Sequence, residues 1–161
     1  MSEDRHAPSS ARTAELLYDV NIPTPTHAER ARTLVARIPT GTLCTLAVEP
    51  EGYPYGSFVT VAFDDGDPVF LISALAEHTK NLERDVRASL LVAESGADDP
   101  LANGRVTMLG PCTRVEGDGG RARAAFLTVH PNAAYYADFR DFAFWNLRVN
   151  ARYIGGYGRM S

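Results

Sequence analysis

One tight-turn signal between two runs of strand-like residues constrains this chain most. Asp64-Asp65-Gly66-Asp67 lies between Ser57–Phe63 (SFVTVAF) and Pro68–Ser73 (PVFLIS). Asp-Gly accepts the positive φ angles that two-residue hairpin turns need, so the two runs are predicted to pair antiparallel. Gly41–Val48, Ala88–Ala93, Arg105–Val115, Phe142–Val149 and Arg152–Tyr157 also read as strands, and Glu51-Gly52 marks a further turn. Arg105–Val115 is predicted to bend at Gly110-Pro111, because proline removes a ladder donor. The implied architecture is mainly β: an antiparallel sheet of six to seven strands with flanking helices. Such a sheet is expected to close into a small barrel, since closure removes edges that would otherwise need protection.

The helical period is confined to a few segments. Thr26 and Glu29 have the capping-box spacing, and Ala31, Leu34, Val35 and Ile38 follow at i, i+3, i+4 and i+7. Pro39 and Gly41 end that helix. A short helix is predicted over Thr79–Asp85. A longer one carries Ala122, Ala125, Phe126 and Val129 and is stopped by Pro131, with one further turn over Asn132–Tyr136. The segment 94–104 reads as a loop, and Gly117-Asp118-Gly119-Gly120 as a solvated turn. Residues 1–25 are polar and proline-bearing and read as a flexible arm, with a helical turn at Ala14–Tyr18; residues 26–161 read as one domain.

Charge and composition exclude several functions. Twenty acidic residues against sixteen Lys and Arg give a net charge of −4, which disfavours a nucleic-acid role. No apolar run approaches the ~20 residues of a membrane helix, and the first residues lack a signal-peptide core. Cys44 and Cys112 form neither a disulfide framework nor a zinc pattern, so a reduced, cytoplasmic setting is expected. His6, His27, His78 and His130 show no ligand spacing, so no dedicated metal site is expected. His130, just before Pro131, is placed to bond the last carbonyls of its helix. Nucleophile-elbow, P-loop and dinucleotide signatures are absent.

The chemistry-bearing stretch is Ile72–Leu82, ISALAEHTKNL, which runs from a strand into a helix start. His78, Thr79, Lys80 and Asn81 offer donors there, with Arg84 and Arg87 close behind, which suits an anion such as a phosphate. The plain alternative is a helix capped by Thr79 with a solvated Lys80.

Ordered motifs along residues 27–158 widen that reading. They include Gly41-x-Leu43-x-Thr45, Gly52-Tyr53-Pro54-Tyr55-Gly56-Ser57, and Leu75-x-x-His78-Thr79-x-Asn81-Leu82. Arg87-Ala88-Ser89-Leu90, Asp99-Pro100-Leu101-Ala102, Arg105-x-Thr107-x-x-Gly110, His130-Pro131, Asp141-Phe142 and Gly155-Gly156-Tyr157-Gly158 follow. In this the chain resembles the pyridoxamine-phosphate-oxidase-like FMN-binding split barrels, in the branch holding HugZ-like and CREG-like proteins.

The resemblance implies a homodimer of split β-barrels with FMN at the subunit interface. By position, Ser57, Phe58, Val59 and Thr60 would run beside the flavin and ribityl chain. His78 takes the place of a phosphate-facing lysine, with Thr79, Lys80 and Asn81 on the same side. Arg105 replaces a glutamine near the flavin, and Trp145 or Tyr157 would supply an aromatic wall from the second subunit. Ser57 stands where pyridoxamine-phosphate oxidases tend to have arginine, so pyridoxal-phosphate synthesis is not expected. The leading expectation is an FMN-dependent oxidoreductase acting on a small molecule. Haem binding or degradation, a deazaflavin cofactor, and a non-catalytic CREG-like module are the alternatives. HugZ-like relatives take an axial histidine from further C-terminal sequence, and this chain has none after His130, which favours flavin over haem at this stage.

Overall fold

The structure, a computed structural model, describes residues 26–156. The turn at Ala14–Tyr18 and Tyr157 lie outside the described residues. Helix α1 (His27–Val35) starts at a complete capping box: the Glu29 N–H donates to Thr26 Oγ1 at 3.2 Å, and the Thr26 N–H donates to Glu29 Oε2 at 2.7 Å.

Eight antiparallel strands follow: β1 (Thr40–Leu46), β2 (Pro54–Thr60), β3 (Ala62–Asp64), β4 (Asp67–Ser73), β5 (Arg87–Ala93), β6 (Arg105–Arg114), β7 (Phe142–Leu147) and β8 (Ala151–Gly155). Helix α2 (Glu77–Arg84) separates β4 from β5, and α3 (Gly120–Val129) separates β6 from β7. The ladder runs β2-β1-β5-β6-β7-β4-β3, with β8 added on β6. Its two ends, β2 and β3, are neighbours in the chain but not in the ladder. The sheet therefore curls into a split barrel, and the fully closed ladder expected above does not form.

The predicted single strand Ser57–Phe63 is two strands broken at Val61. There the backbone leaves the ladder, and the Val61 N–H donates to the Pro39 carbonyl at 2.9 Å. Val61 itself is fully buried, so the break turns the chain inward at the barrel's split. The β3–β4 hairpin forms as expected, with Asp65 at φ 50° and Gly66 at φ 86°.

Strand β6 bends at the predicted Gly110-Pro111 step. Its first half lies between β5 and β8, and its last three residues pair with β7. The β7–β8 corner crosses directly over the bend. The Arg148 N–H donates to Pro111 O at 2.9 Å and the Asn150 N–H to Leu109 O at 2.8 Å.

The core has two compartments. The barrel interior holds Leu43, Val61, Phe70, Leu82, Leu90, Val106, Met108, Trp145 and Leu147. The second lies under α3 and holds Val69, Leu71, Ala122, Phe126 and Phe144. Strand β4 serves both: Phe70 and Ile72 face the first, Val69 and Leu71 the second. A strand covered on both faces is apolar without alternation, which is why PVFLIS reads as a continuous run.

Three local expectations change. Gly119 is buried at φ 101° against the Phe144 ring, so the glycine turn is solvated only in part. Val129 of α3 is exposed. His130 caps α3, but its Nε2 lies 2.9 Å from the Val61 carbonyl at the β2–β3 break, not on its own helix, and its ring packs on Phe126.

Candidate functional site

The sites predicted from sequence meet at the start of α2 and on the terminal strand β2. Helix α2 begins at Glu77, two residues before the predicted start, and its N-cap Ala76 has no side chain to cap with. Thr79 is therefore not a cap. It is 2% exposed, and its hydroxyl donates to the Ser73 carbonyl at 2.6 Å, pinning α2 to the end of β4.

Asn81, also 2% exposed, ties α2 to β1. Its Nδ2 donates to Thr45 Oγ1 at 3.0 Å, and its Oδ1 accepts from the Val48 N–H at 3.0 Å. Both residues satisfy buried polar groups of the fold. The phosphate-facing role expected for them is one their side chains are not free to play. Lys80 is exposed and ion-paired with Glu77 at 3.3 Å.

His78 and Ser57 come together. The His78 Nδ1 lies 3.1 Å from Ser57 Oγ, and that hydroxyl donates to the Leu43 carbonyl at 3.3 Å. Nε2 is buried with no hydrogen-bond partner, although the residue as a whole is only partly buried. Desolvation lowers the His78 pKa from its ordinary 6.5 and keeps the ring neutral at pH 7.

That shift has a sign. The unfolded chain binds a proton more readily than the folded one, so the stability from a neutral His78 is complete above pH 6.5. It declines as pH falls through 6.5 toward the lower folded value. Urea midpoints measured at pH 7.5 and 5.5 are expected to fall more for the wild type than for His78→Gln. Equal falls would mean that the imidazole is not held neutral.

The remaining predicted residues lie on β2 and β6. Val59 points into the core at 6% exposed, whereas Phe58 is 78% exposed and Thr60 is exposed. Arg105 sits between Ala93 of β5 and Gly155 of β8, and its Nη1 donates to the Leu101 carbonyl at 3.2 Å. Trp145 is 5% exposed in the barrel core between Phe70 and Arg114, so it supplies no wall to a second subunit.

Sequence reasoning missed the outer face as a surface. Register pairs place Phe58, Thr42, Leu91, Thr107 and Tyr153 in one row across β2, β1, β5, β6 and β8. The row spans roughly 19 Å at ordinary strand spacing. Tyr153 is 64% exposed, and Leu91 and Leu109 are partly open on the same face. The signal was present in Leu90-Leu91: adjacent leucines on a strand point to opposite faces, so one must lie outside. Arg105 has the parity of Thr107 and Leu109 on β6, which places it on this face beside the row. Cys44 is half-open there too, whereas Cys112 is sealed in the core and its thiol pKa is pushed up to about 12.

Known proteins resemble this chain in sequence and fold. The chain is 38% identical over 131 residues to the non-canonical haem oxygenase HOZ of Arabidopsis thaliana chloroplasts, covering 80% of this chain and 40% of that protein. A haem binding protein from Mycobacterium smegmatis superposes with a TM-score of 0.80 at 46% identity, over 87% of this chain and 58% of that one. The chain thus spans between two-fifths and three-fifths of the length of these two relatives. The haem storage protein HutZ from Vibrio cholerae superposes with a TM-score of 0.68 at 20% identity, over 80% of this chain and 94% of that one, a likeness of fold. The sequence model described as "CREG, beta-barrel" matches residues 23–161, and with the split barrel, its ladder order and these relatives in view, the chain belongs to the CREG β-barrel family within the pyridoxamine-phosphate-oxidase-like split barrels.

Proposed function

We propose that this chain binds haem in the seam of a homodimer, and that this reading stands ahead of the FMN oxidoreductase expected from the motifs. The observation that carries it is the neutral Ser57–His78 pair. His78 takes the position where the resemblance leads one to expect a phosphate-facing lysine, and Ser57 one where oxidase relatives tend to have arginine. Here they hydrogen-bond to each other, Thr79 and Asn81 are spent inside the fold, and Lys80 is paired with Glu77. A phosphate dianion needs charge-assisted donors, and few remain. An iron porphyrin asks instead for a flat apolar surface, which the outer sheet face offers. The plant and mycobacterial relatives, both named for haem, support the same choice.

The residues present fit such a ligand. Phe58, Leu91 and Tyr153 offer a flat apolar surface, and Arg105 offers a guanidinium to ring carboxylates. Ser57 pairs with the fully buried Leu43 and Phe58 with Thr42, so His78 lies on the barrel side of β2 and the apolar row on its outer side. Bound haem would supply a redox-active iron. The protein's own share would be to orient the ring and exclude water from one face. The partner is a second copy of the chain. A monomer rarely leaves an apolar face of this extent in water, and the same face on a second copy covers it.

Ferric haem added to the purified protein should produce a shifted Soret band that saturates at a fixed ratio to subunits. FMN added in parallel should keep its fluorescence. Quenching of FMN without any Soret shift would restore the flavin reading in place of this one.

A further inference from the structure

Strand β7 begins between two hollows. The larger, about 170 Å³, lies between the β6–α3 connection and the segment that leads into β7. The buried Ala137 and Phe144 line it, together with the half-buried Phe142. The smaller, about 40 Å³, opens toward α2 and shares Arg114, Phe142 and Ala143 with the first.

Two arginines line the larger hollow, in different states. Arg123 of α3 is spent. Its Nη1 and Nη2 donate to the two carboxylate oxygens of Asp138 at 2.8 and 3.1 Å, and its guanidinium lies 5.8 Å from the centre of the Phe144 ring. Arg114, the last residue of β6, is exposed, and its side chain has no ion pair or hydrogen bond among the described residues. Asp118, the other acid of the lining, accepts from the Gly120 N–H at 3.0 Å. At the rim Phe139 is 48% exposed, and its ring centre lies 5.8 Å from that of Tyr135, which is 84% exposed. Two aromatic rings are thus left in water close to an arginine without a partner.

We propose that this hollow is a binding site for a small planar aromatic carboxylate, one ring in size. Arg114 receives the carboxylate, and Phe139 and Phe142 take the ring. None of these residues belongs to the outer row, so the site stands apart from the haem reading.

Size, charge and chemistry of the lining agree. A cavity of about 150 Å³ holds benzene, so 170 Å³ suits a single ring and is too small for a nucleotide or a porphyrin. The planar fork of an arginine matches a carboxylate with two parallel hydrogen bonds. The Asp138 charge is already balanced by Arg123, so it offers little repulsion to an incoming anion. An aliphatic acid would leave Phe139 in water, and a neutral ring would leave Arg114 unpaired. Only a ligand with both parts uses the whole lining.

The test uses the full chain, labelled with nitrogen-15, and benzoate as the probe, followed by NMR titration at neutral pH. Benzoate should shift the amides of Val115, Asp118 and Phe139 and saturate with a Kd on the order of 1 mM, ordinary for so small a ligand. Acetate, which shares only the carboxylate, and benzamide, which shares only the ring, should bind at least about tenfold more weakly. Arg114→Gln should weaken benzoate about tenfold or more, and Phe139→Ser about threefold. Arg140 lines the smaller hollow alone, so Arg140→Gln should match wild type. All three side chains are exposed, and circular dichroism checks that the variants fold. Arg114→Lys serves if the glutamine variant unfolds, since it keeps the charge and loses the fork.

Benzoate that leaves these amides unmoved, or that binds Arg114→Gln as well as wild type, would overturn the assignment. Acetate or benzamide binding as tightly as benzoate would overturn the ligand class. An equal loss in Arg140→Gln would reduce the effect to general charge attraction and overturn the site as well.

Discussion

Gly110→Ala should cost this protein about 3 kcal/mol or more and lower its melting temperature by roughly 10 °C. A Cβ at Gly110 would overlap the backbone carbonyl of Arg148 and approach the Asn150 nitrogen at 3.3 Å. Both obstacles are main chain, so no rotamer change relieves them. The β7–β8 corner must lift, which breaks the bonds from Arg148 N–H to Pro111 O and from Asn150 N–H to Leu109 O. That corner also sets how β6 is shared between β8 and β7, so the split of the barrel is at stake. Gly56→Ala is the control. Its Cβ would meet only the Thr42 methyl at 3.6 Å, ordinary contact, and the change should stay within about 0.5 kcal/mol. Thermal melts of the two variants side by side make the comparison. A Gly110→Ala protein as stable as wild type would mean that the β7–β8 corner does not sit tightly on the bend.

The second large effect concerns assembly. Phe58→Asp combined with Tyr153→Asp should turn a dimer into monomers and remove haem binding with it. The two residues end the same cross-strand row on β2 and β8, so each charge falls on the outer face and neither enters the core. Both side chains are largely exposed in the single subunit, so the fold should survive, as circular dichroism would show. Sedimentation velocity at micromolar concentration reads the assembly state. A variant that still sediments as a dimer would place the interface on another face. A wild type that sediments as a monomer would remove the seam altogether.

The two effects differ in how visible they are from sequence. Gly110-Pro111 announces a bend, because proline lacks the N–H that a ladder needs. That Arg148 and Asn150 lie across it is a contact between residues far apart in the chain, which no local pattern encodes. In the same way, alternation locates the strands, but the outer row appears only when five registers are laid side by side.

The candidate site follows the same division. The motif around Leu75–Leu82 folds against β2, and His78 and Ser57 meet there. The inward bonds of Thr79 and Asn81 are not announced by their donor groups alone. A hydroxyl or an amide in a helix start looks like a ligand contact until tertiary structure shows Ser73, Thr45 and Val48 holding it. Trp145 was misplaced for a related reason: a lone tryptophan on a strand suits a wall or a core equally well, and the ladder order decides for the core. Among the described residues, no helix is long and apolar enough to cross a membrane, in keeping with the hydropathy pattern.

Local chemistry in the chain determined the capping box at Thr26, the Asp65-Gly66 hairpin, the position of each strand within a few residues and the bend in β6, because each depends on near neighbours and allowed backbone angles. Tertiary structure alone decided that the barrel stays split at Val61, that Thr79 and Asn81 face inward, and that His78 keeps one nitrogen unpartnered. Those outcomes depend on which distant donors and acceptors reach each other once the sheet has curled, and desolvation acts only on groups that the curled sheet encloses.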